Sequence, residues 1–218
     1  MCGRFSAQLP PEFIARLFRT TGPLPNIAAN ANLAPTQAAM VVRLHPQSGE
    51  RRLDVLTWGL VPHFTKDLKS CRRPFNARSE TAATSPMFRD ALTRRRCLIA
   101  ADAFYEWKTL PTGKQPFAIA YRDGTPLALA GLWEGWRAPD GETLRTFTIL
   151  TTTANADLST LHERMPVIVP ETDWPLWLGE TEANPATLLR PLPNGLLTVT
   201  ETSKALNRAT APESAKLL

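Results

Sequence analysis

The chain has 218 residues, 43% of them hydrophobic and 21% charged, with a formal net charge of +5. That balance belongs to an ordinary globular protein of one domain or a tightly joined pair, long enough to bury most of its apolar surface. No apolar run approaches the ~20 residues that span a bilayer, and the first twenty residues lack the basic start and apolar core of a signal peptide. Cys2, Cys71 and Cys97 form no CxxC pair, and His45, His63 and His162 have no paired metal-ligand spacing. Disulfides and metal are therefore not expected, and the compartment reads as cytoplasmic. Neither a GxGxxG nor a GxxxxGK[ST] is present, so no cofactor is expected.

In chain order, Pro10 and Pro11 open a helix whose Phe13, Ile14, Leu17 and Phe18 share one face, with Gly22 beyond its end. Strands are expected at 40–44, 53–61, 97–101, 117–121, 127–133, 146–152 and 167–169, all rich in β-branched and aromatic residues and bounded by Pro, Gly or Asp. Pro126 and the turn Ala138-Pro139-Asp140-Gly141 suit antiparallel connections better than long crossovers. Helices are expected at 155–161, 173–178 and 185–189, opened by Asn155, Asp173 and Asn184. The fold class is α+β: a single domain with a curved, mostly antiparallel, barrel-like β-sheet surrounded by short helices. It runs over residues 1–206, and 207–218 reads as a flexible tail.

Two features carry chemistry. The first is the cysteine at position 2. Removal of Met1 would leave an α-amine of pKa ~8 beside a thiol of pKa ~8.5. Such a pair can attack an aldehyde twice, closing a five-membered thiazolidine, or attack an amide through the thiol with the amine as base. The second is charge. Between Lys69 and Arg96 lie eight basic residues (Lys69, Arg72, Arg73, Arg78, Arg89, Arg94, Arg95, Arg96) against Glu80 and Asp90, a surplus larger than that of the whole chain. Arginine forks suit phosphate, although a solvated basic face is the plain alternative.

Six segments place polar residues in apolar surroundings: Met1-Cys2-Gly3-Arg4, Asn32-Leu33-Ala34-Pro35-Thr36, Trp58-Gly59-Leu60-Val61-Pro62, Asn76-Ala77-Arg78-Ser79-Glu80-Thr81, Phe104-Tyr105-Glu106-Trp107 and His162-Glu163-Arg164-Met165-Pro166. In that order they resemble the SRAP family (SOS response-associated peptidase), also called abasic-site processing proteins, from Cys2 to about Val169. The resemblance implies recognition of abasic sites in single-stranded DNA and capture of the ring-opened deoxyribose by Cys2, giving a thiazolidine crosslink that shields the lesion. It also implies Met1 removal, a weak lyase side reaction, action as a monomer, and association with the nucleoid when DNA is bound.

The resemblance assigns catalytic roles to Cys2, Asn76, Glu106 and His162, and phosphate contacts to Arg4, Arg78 and Arg164. The residues themselves agree with this. Glu106 sits among aromatics where burial raises a carboxyl pKa, imidazole titrates where a sugar-ring proton must move, and Asn76 offers a donor and an acceptor without being a base. Trp58 and Cys97 read as core strand residues. The chain departs from the family pattern in two places. It lacks the proline and glycine around Ile99–Phe104, and it has His63-Phe64-Thr65 where a tryptophan usually follows Pro62, so a DNA-unstacking aromatic is either absent or supplied by Phe64. An N-terminal-nucleophile amidohydrolase and a non-catalytic single-stranded-DNA-binding module remain as alternative readings.

Overall fold

A computed structural model describes residues 2–208. The chain opens with β1 (Phe5–Ala7), α1 (Pro11–Phe18), β2 (Asn30–Leu33), β3 (Ala38–Leu44), β4 (Arg51–Trp58) and β5 (Asn76–Arg78). Next come α2 (Ser79–Ala82), α3 (Arg89–Arg94), β6 (Arg96–Ala101), β7 (Ala103–Leu110), β8 (Gly113–Tyr121) and β9 (Leu127–Arg137). The last elements are β10 (Thr143–Thr153), β11 (Arg164–Pro166), α4 (Trp174–Leu178) and β12 (Leu197–Glu201), with 3-10 turns at Glu171–Asp173, Pro185–Leu188 and Lys204–Asn207.

Five strands close on themselves in the order β3, β4, β10, β9, β6 and back to β3. The β4–β10 pairing is parallel and the other four are antiparallel, so the ring is a mixed barrel. Side chains alternate across a strand, and the alternation divides the core in two. Val41, Leu56, Trp58, Cys97, Ile99, Leu129, Trp133, Phe147 and Ile149 fill one cluster inside the ring. Met40, Val42, Leu53, Leu98, Ala100, Ala130 and Leu150 point outward into a second cluster with Ile14 and Phe18 of α1 and Trp174 and Trp177 of α4. The expected core positions of Trp58 and Cys97 are observed, each fully buried.

A second sheet, all antiparallel, runs β12-β8-β7-β1-β2. Its inward residues Phe5, Leu33, Phe104, Ile119 and Leu197 join the barrel's interior cluster, and the Phe5 ring lies 5.1 Å from that of Trp58.

Two elements differ from expectation. Residues 155–161 form hydrogen-bonded turns rather than a helix. The polar groups that would open a helix are drawn sideways: Asn155 Nδ2 donates to the Leu192 carbonyl at 3.1 Å, and the Ala156 N–H donates to Asn194 Oδ1 at 2.9 Å. Residues 167–169 make one isolated bridge, Leu129 with Ile168, and are held by the Val167 N–H to the Leu150 carbonyl at 2.8 Å and the Val169 N–H to the Ala128 carbonyl at 2.9 Å, while the strand proper is β11 just before them. Among the described residues no helix is long and apolar enough to cross a membrane. Asn207 and Arg208, placed in the tail by the sequence reading, make the hydrogen bonds described below. The rest of that expected tail lies outside the described residues.

Candidate active site

The site is built where the start of the chain meets β7. Phe5 pairs with Phe104 and Ser6 with Ala103, and Asp102 Oδ2 locks that register by accepting from Ser6 Oγ (3.0 Å) and the Gln8 N–H (2.8 Å). One residue further out, the Tyr105 N–H donates to the Arg4 carbonyl at 2.9 Å. The chain before β1 therefore continues antiparallel to β7, which brings Cys2 and Gly3 alongside Glu106.

Cys2 is fully buried, its Sγ 3.8 Å from the Arg4 carbonyl oxygen. Burial pushes the thiol pKa far up, and the charge of Glu106 pushes it further. Asn76 arrives from the opposite side on β5, which lies parallel to β10 with Asn76 opposite Ile149. Its Nδ2 donates to the Cys2 carbonyl at 2.7 Å, while its Oδ1 is buried with no hydrogen-bond partner among the described residues. Glu106 is 4% exposed; burial raises its pKa, against a smaller downward pull from His162. His162 closes the turn after β10, its Nδ1 accepting the Arg164 N–H at 2.8 Å. That bond assigns the neutral ring's proton to Nε2.

Four residues named from the sequence as catalytic thus meet from four separate segments. The arginines divide. Arg4 lines a cavity of about 640 Å³ together with Gly3, Glu106, Trp107, Lys114 and Asn207, and its guanidinium carbon lies 5.5 Å from the centre of the Trp107 ring. Arg78 is exposed at the end of β5 and makes no ion pair among the described residues. Arg164 is committed to protein: its fork pairs with both oxygens of Glu80 at 2.6 and 2.9 Å, and Nη2 donates to the Thr151 carbonyl at 2.6 Å.

A family model described as "SOS response associated peptidase (SRAP)" matches residues 1–209. The chain belongs to the SRAP family. Among SRAP relatives, the abasic site processing protein YoqW of Bacillus subtilis is 38% identical over 197 residues, which is 88% of this chain and 87% of its own length. The abasic site processing protein HMCES of Gallus gallus is 34% identical over 151 residues, 59% of this chain and 45% of its own length. A solved structure from Bacteroides thetaiotaomicron superposes with a TM-score of 0.86 at 21% identity, covering 95% of each chain. One from Bordetella bronchiseptica does so at 0.79 and 29% identity, covering 93% of this chain and 100% of its own.

In this SRAP chain the Trp58–Pro62 segment is followed by His63 and then by Phe64, 54% exposed, its ring edge-on to His63 at 5.4 Å. Sequence reasoning did not single out Glu80, Lys114 or Asn207. Glu80 lay inside a quoted segment and Trp107 inside another, so both were visible as motif members without a role. Lys114 and Asn207 carried no signal, because each reaches the site only through strand pairing and chain return. Among the described residues no cluster of three or more His, Cys, Asp or Glu could hold a metal ion, and the three cysteines are free.

Proposed function

We propose that this protein processes abasic sites in single-stranded DNA by capturing the lesion covalently on Cys2 once Met1 has been removed. The observation that carries this reading is the meeting of Asn76, Glu106 and His162 around Cys2, with the 2.7 Å bond from Asn76 to the Cys2 carbonyl at its centre. The names of the relatives support the substrate class.

The chemistry follows from the groups present. An abasic deoxyribose is mostly a closed hemiacetal, and opening it needs a proton delivered to the ring oxygen and one taken from the anomeric hydroxyl. The Nε2–H of His162 is the donor, and Glu106, with its raised pKa, is the acceptor. The freed Cys2 amine then adds to the aldehyde carbon; Glu106 returns its proton to the departing hydroxyl, which leaves as water, and the iminium proton restores the His162 ring, so that a neutral imine and a Glu106 carboxylate remain. The Cys2 sulfur adds to the imine carbon, its proton passing by way of Glu106 to the nitrogen, and the thiazolidine closes. Burial keeps the thiol protonated at neutral pH, so a base at Glu106 is required for the last step. In this reading Asn76 Oδ1, which has no hydrogen-bond partner among the described residues, accepts from the amine. Arg4 and Arg78 serve the flanking phosphates.

The imine also opens a weak lyase route by elimination of the neighbouring phosphate. Borohydride should trap a species at that stage, and its absence would count against lyase activity. The decisive test is mass spectrometry of the purified chain before and after incubation with abasic single-stranded DNA. Loss of Met1 and a heat-stable adduct are expected, with Cys2→Ala abolishing the adduct and retaining noncovalent binding. An adduct formed by Cys2→Ala overturns the mechanism. Release of ammonia from glutamine without DNA capture revives the amidohydrolase alternative.

A further inference from the structure

We propose that Asn207 is a positioning residue of this site, and that segment 203–208 is the wall that holds Trp107 and Arg4 ready for nucleic acid. This rests on the reading of the cavity as a lesion site and adds to it a part supplied by the far end of the chain.

The segment is tied down on both sides. After β12, the Thr202 N–H donates to the Pro116 carbonyl at 3.0 Å, and Gln115 Nε2 donates to the Thr202 carbonyl at 2.8 Å. Ser203 Oγ accepts from the Ala205 N–H at 3.2 Å and starts the turn that carries Asn207. Asn207 then spends both ends of its amide. Its Oδ1 accepts from the Trp107 indole N–H at 2.7 Å, and its Nδ2 donates to the Lys114 carbonyl at 3.1 Å. An indole only donates and a backbone carbonyl only accepts, so the orientation of this amide is fixed by its partners. One side chain thereby joins β7, β8 and the C-terminal segment across the cavity that Glu106 lines.

Arg4 is held by the same segment. Its Nη1 donates to Asn32 Oδ1 at 2.7 Å and to the Leu206 carbonyl at 3.2 Å. Asn32 is itself anchored, Nδ2 donating to the Arg208 carbonyl at 2.9 Å. Both hydrogen bonds of Arg4 among the described residues leave from Nη1, and Nε and Nη2 make none. One nitrogen of the fork is committed to the wall, and the other two are left for an anion. A guanidinium held in this way loses less freedom when a phosphate oxygen arrives, and the indole it lies over is fixed at its N–H. The wall therefore acts on affinity and leaves the covalent steps at Cys2 alone.

The test is a double-mutant cycle on crosslinking kinetics, using full-length protein and single-stranded DNA carrying one abasic site. Asn207→Ala removes the grip, and Trp107→Phe keeps a ring but removes its N–H. Each is expected to raise the half-saturating DNA concentration about tenfold, equivalent to about 1.4 kcal/mol, with the maximal rate and the Tm held near the parent's. The double variant should be no worse than either single one. A half-saturating concentration within about twofold of the parent for Asn207→Ala, or penalties that multiply in the double variant, overturns the proposal. If the parent itself forms no adduct, the lesion reading fails first. The same three variants are then compared by fluorescence anisotropy on the same DNA, where the expected tenfold loss stands or falls independently. A parent that neither crosslinks nor binds sinks both.

Discussion

The carbonyl oxygen of Cys2 accepts a 2.7 Å hydrogen bond from Asn76 Nδ2, across 74 positions of sequence. Only the donor half of that amide is used among the described residues, because Oδ1 is buried without a partner. Buried polar atoms are rarely left unpaired in a native interior, and those that are often face a reacting group. Asn76→Ala is expected to slow adduct formation at saturating DNA by roughly a hundredfold, with noncovalent affinity changed less than about threefold. Asn76→Asp sets a carboxylate oxygen against the Cys2 carbonyl and should be at least as slow and less stable. Gel-resolved single-turnover rates check both; a near-parental Asn76→Ala rate removes Asn76 from the mechanism.

Two carboxylates give opposite pH signatures. Burial raises the Glu106 pKa above its ordinary 4.5, so the native state binds that proton more tightly than the unfolded chain does. Stability therefore falls as pH rises through the window from 4.5 to the raised value, and the full penalty applies above it. Glu106→Gln removes the penalty, and its gain in Tm should be larger at pH 8 than at pH 4. Adduct formation by the same variant should lose the acid limb of its pH–rate profile along with most of its rate. Glu80 has the reverse sign, since the hydrogen bond from Arg164 holds its pKa down. Its stabilisation is present above 4.5 and is lost as the pH falls. Thermal melts of Glu106→Gln and Glu80→Gln across that range would falsify this assignment if both variants shifted in the same direction.

Arg78 and Arg164 should separate by what each is tied to. Arg78 is exposed and makes no ion pair among the described residues. Arg78→Ala is expected to weaken all single-stranded DNA binding and to flatten the salt dependence by about 0.7 in log–log slope, with little change in Tm. Arg164 is anchored on Glu80 and Thr151. Arg164→Ala should lower the Tm as well, because it leaves a carbonyl and a carboxylate without their donor. Glu80→Gln loosens the anchor; the Glu80 side chain is 46% exposed, which limits the loss to about 1–3 °C. If the freed arginine reaches phosphate, Glu80→Gln binds DNA more tightly at low salt, and unchanged affinity assigns Arg164 to structure alone.

Gly131, in the run Ala130-Gly131-Leu132-Trp133-Glu134, has a packing reason to be glycine. It faces Cys97 on one side and Ile149 on the other. A Cβ there would lie 2.5 Å from Ile99 Cδ1, 2.9 Å from Cys97 Sγ and 3.0 Å from the Thr148 carbonyl oxygen. Gly131→Ala is expected to cost about 1–3 kcal/mol, read as a Tm drop of several degrees. Trimming the nearest obstacle with Ile99→Val should recover part of it, and a double variant no more stable than Gly131→Ala would place the clash elsewhere.

The barrel was legible because its strands are made of residues that prefer the pleated, buried state: 40–44, 53–61 (of which the strand keeps 53–58), 97–101, 127–133 and 146–152 all read as apolar or β-branched runs. The short strands that meet β7 at the site were not. β1 (Phe-Ser-Ala), β2 (Asn-Ala-Asn-Leu), β5 (Asn-Ala-Arg) and β11 (Arg-Met-Pro) are three or four residues long and partly polar. Too short for a period of two to show, they are strands only because a longer neighbour pairs with them. The candidate site residues were named through their motifs, and the contacts that orient them became visible only with the pairing. Asn155 shows the opposite error: a good helix-opening residue whose amide is claimed by Leu192, far along the chain.

The Leu206 carbonyl that holds Arg4 lies 202 positions away from it. A ribosome delivers the first of these residues long before the second, and folding proceeds from the first-made end. Cys2 is therefore made early, while the contacts that finish its surroundings wait for the last strand and the turn after it. A nascent or truncated copy that lacks this turn has Cys2 but not the Leu206 and Arg208 carbonyls that hold Arg4 and Asn32. In this fold, the grip on Arg4 is tied to completed synthesis.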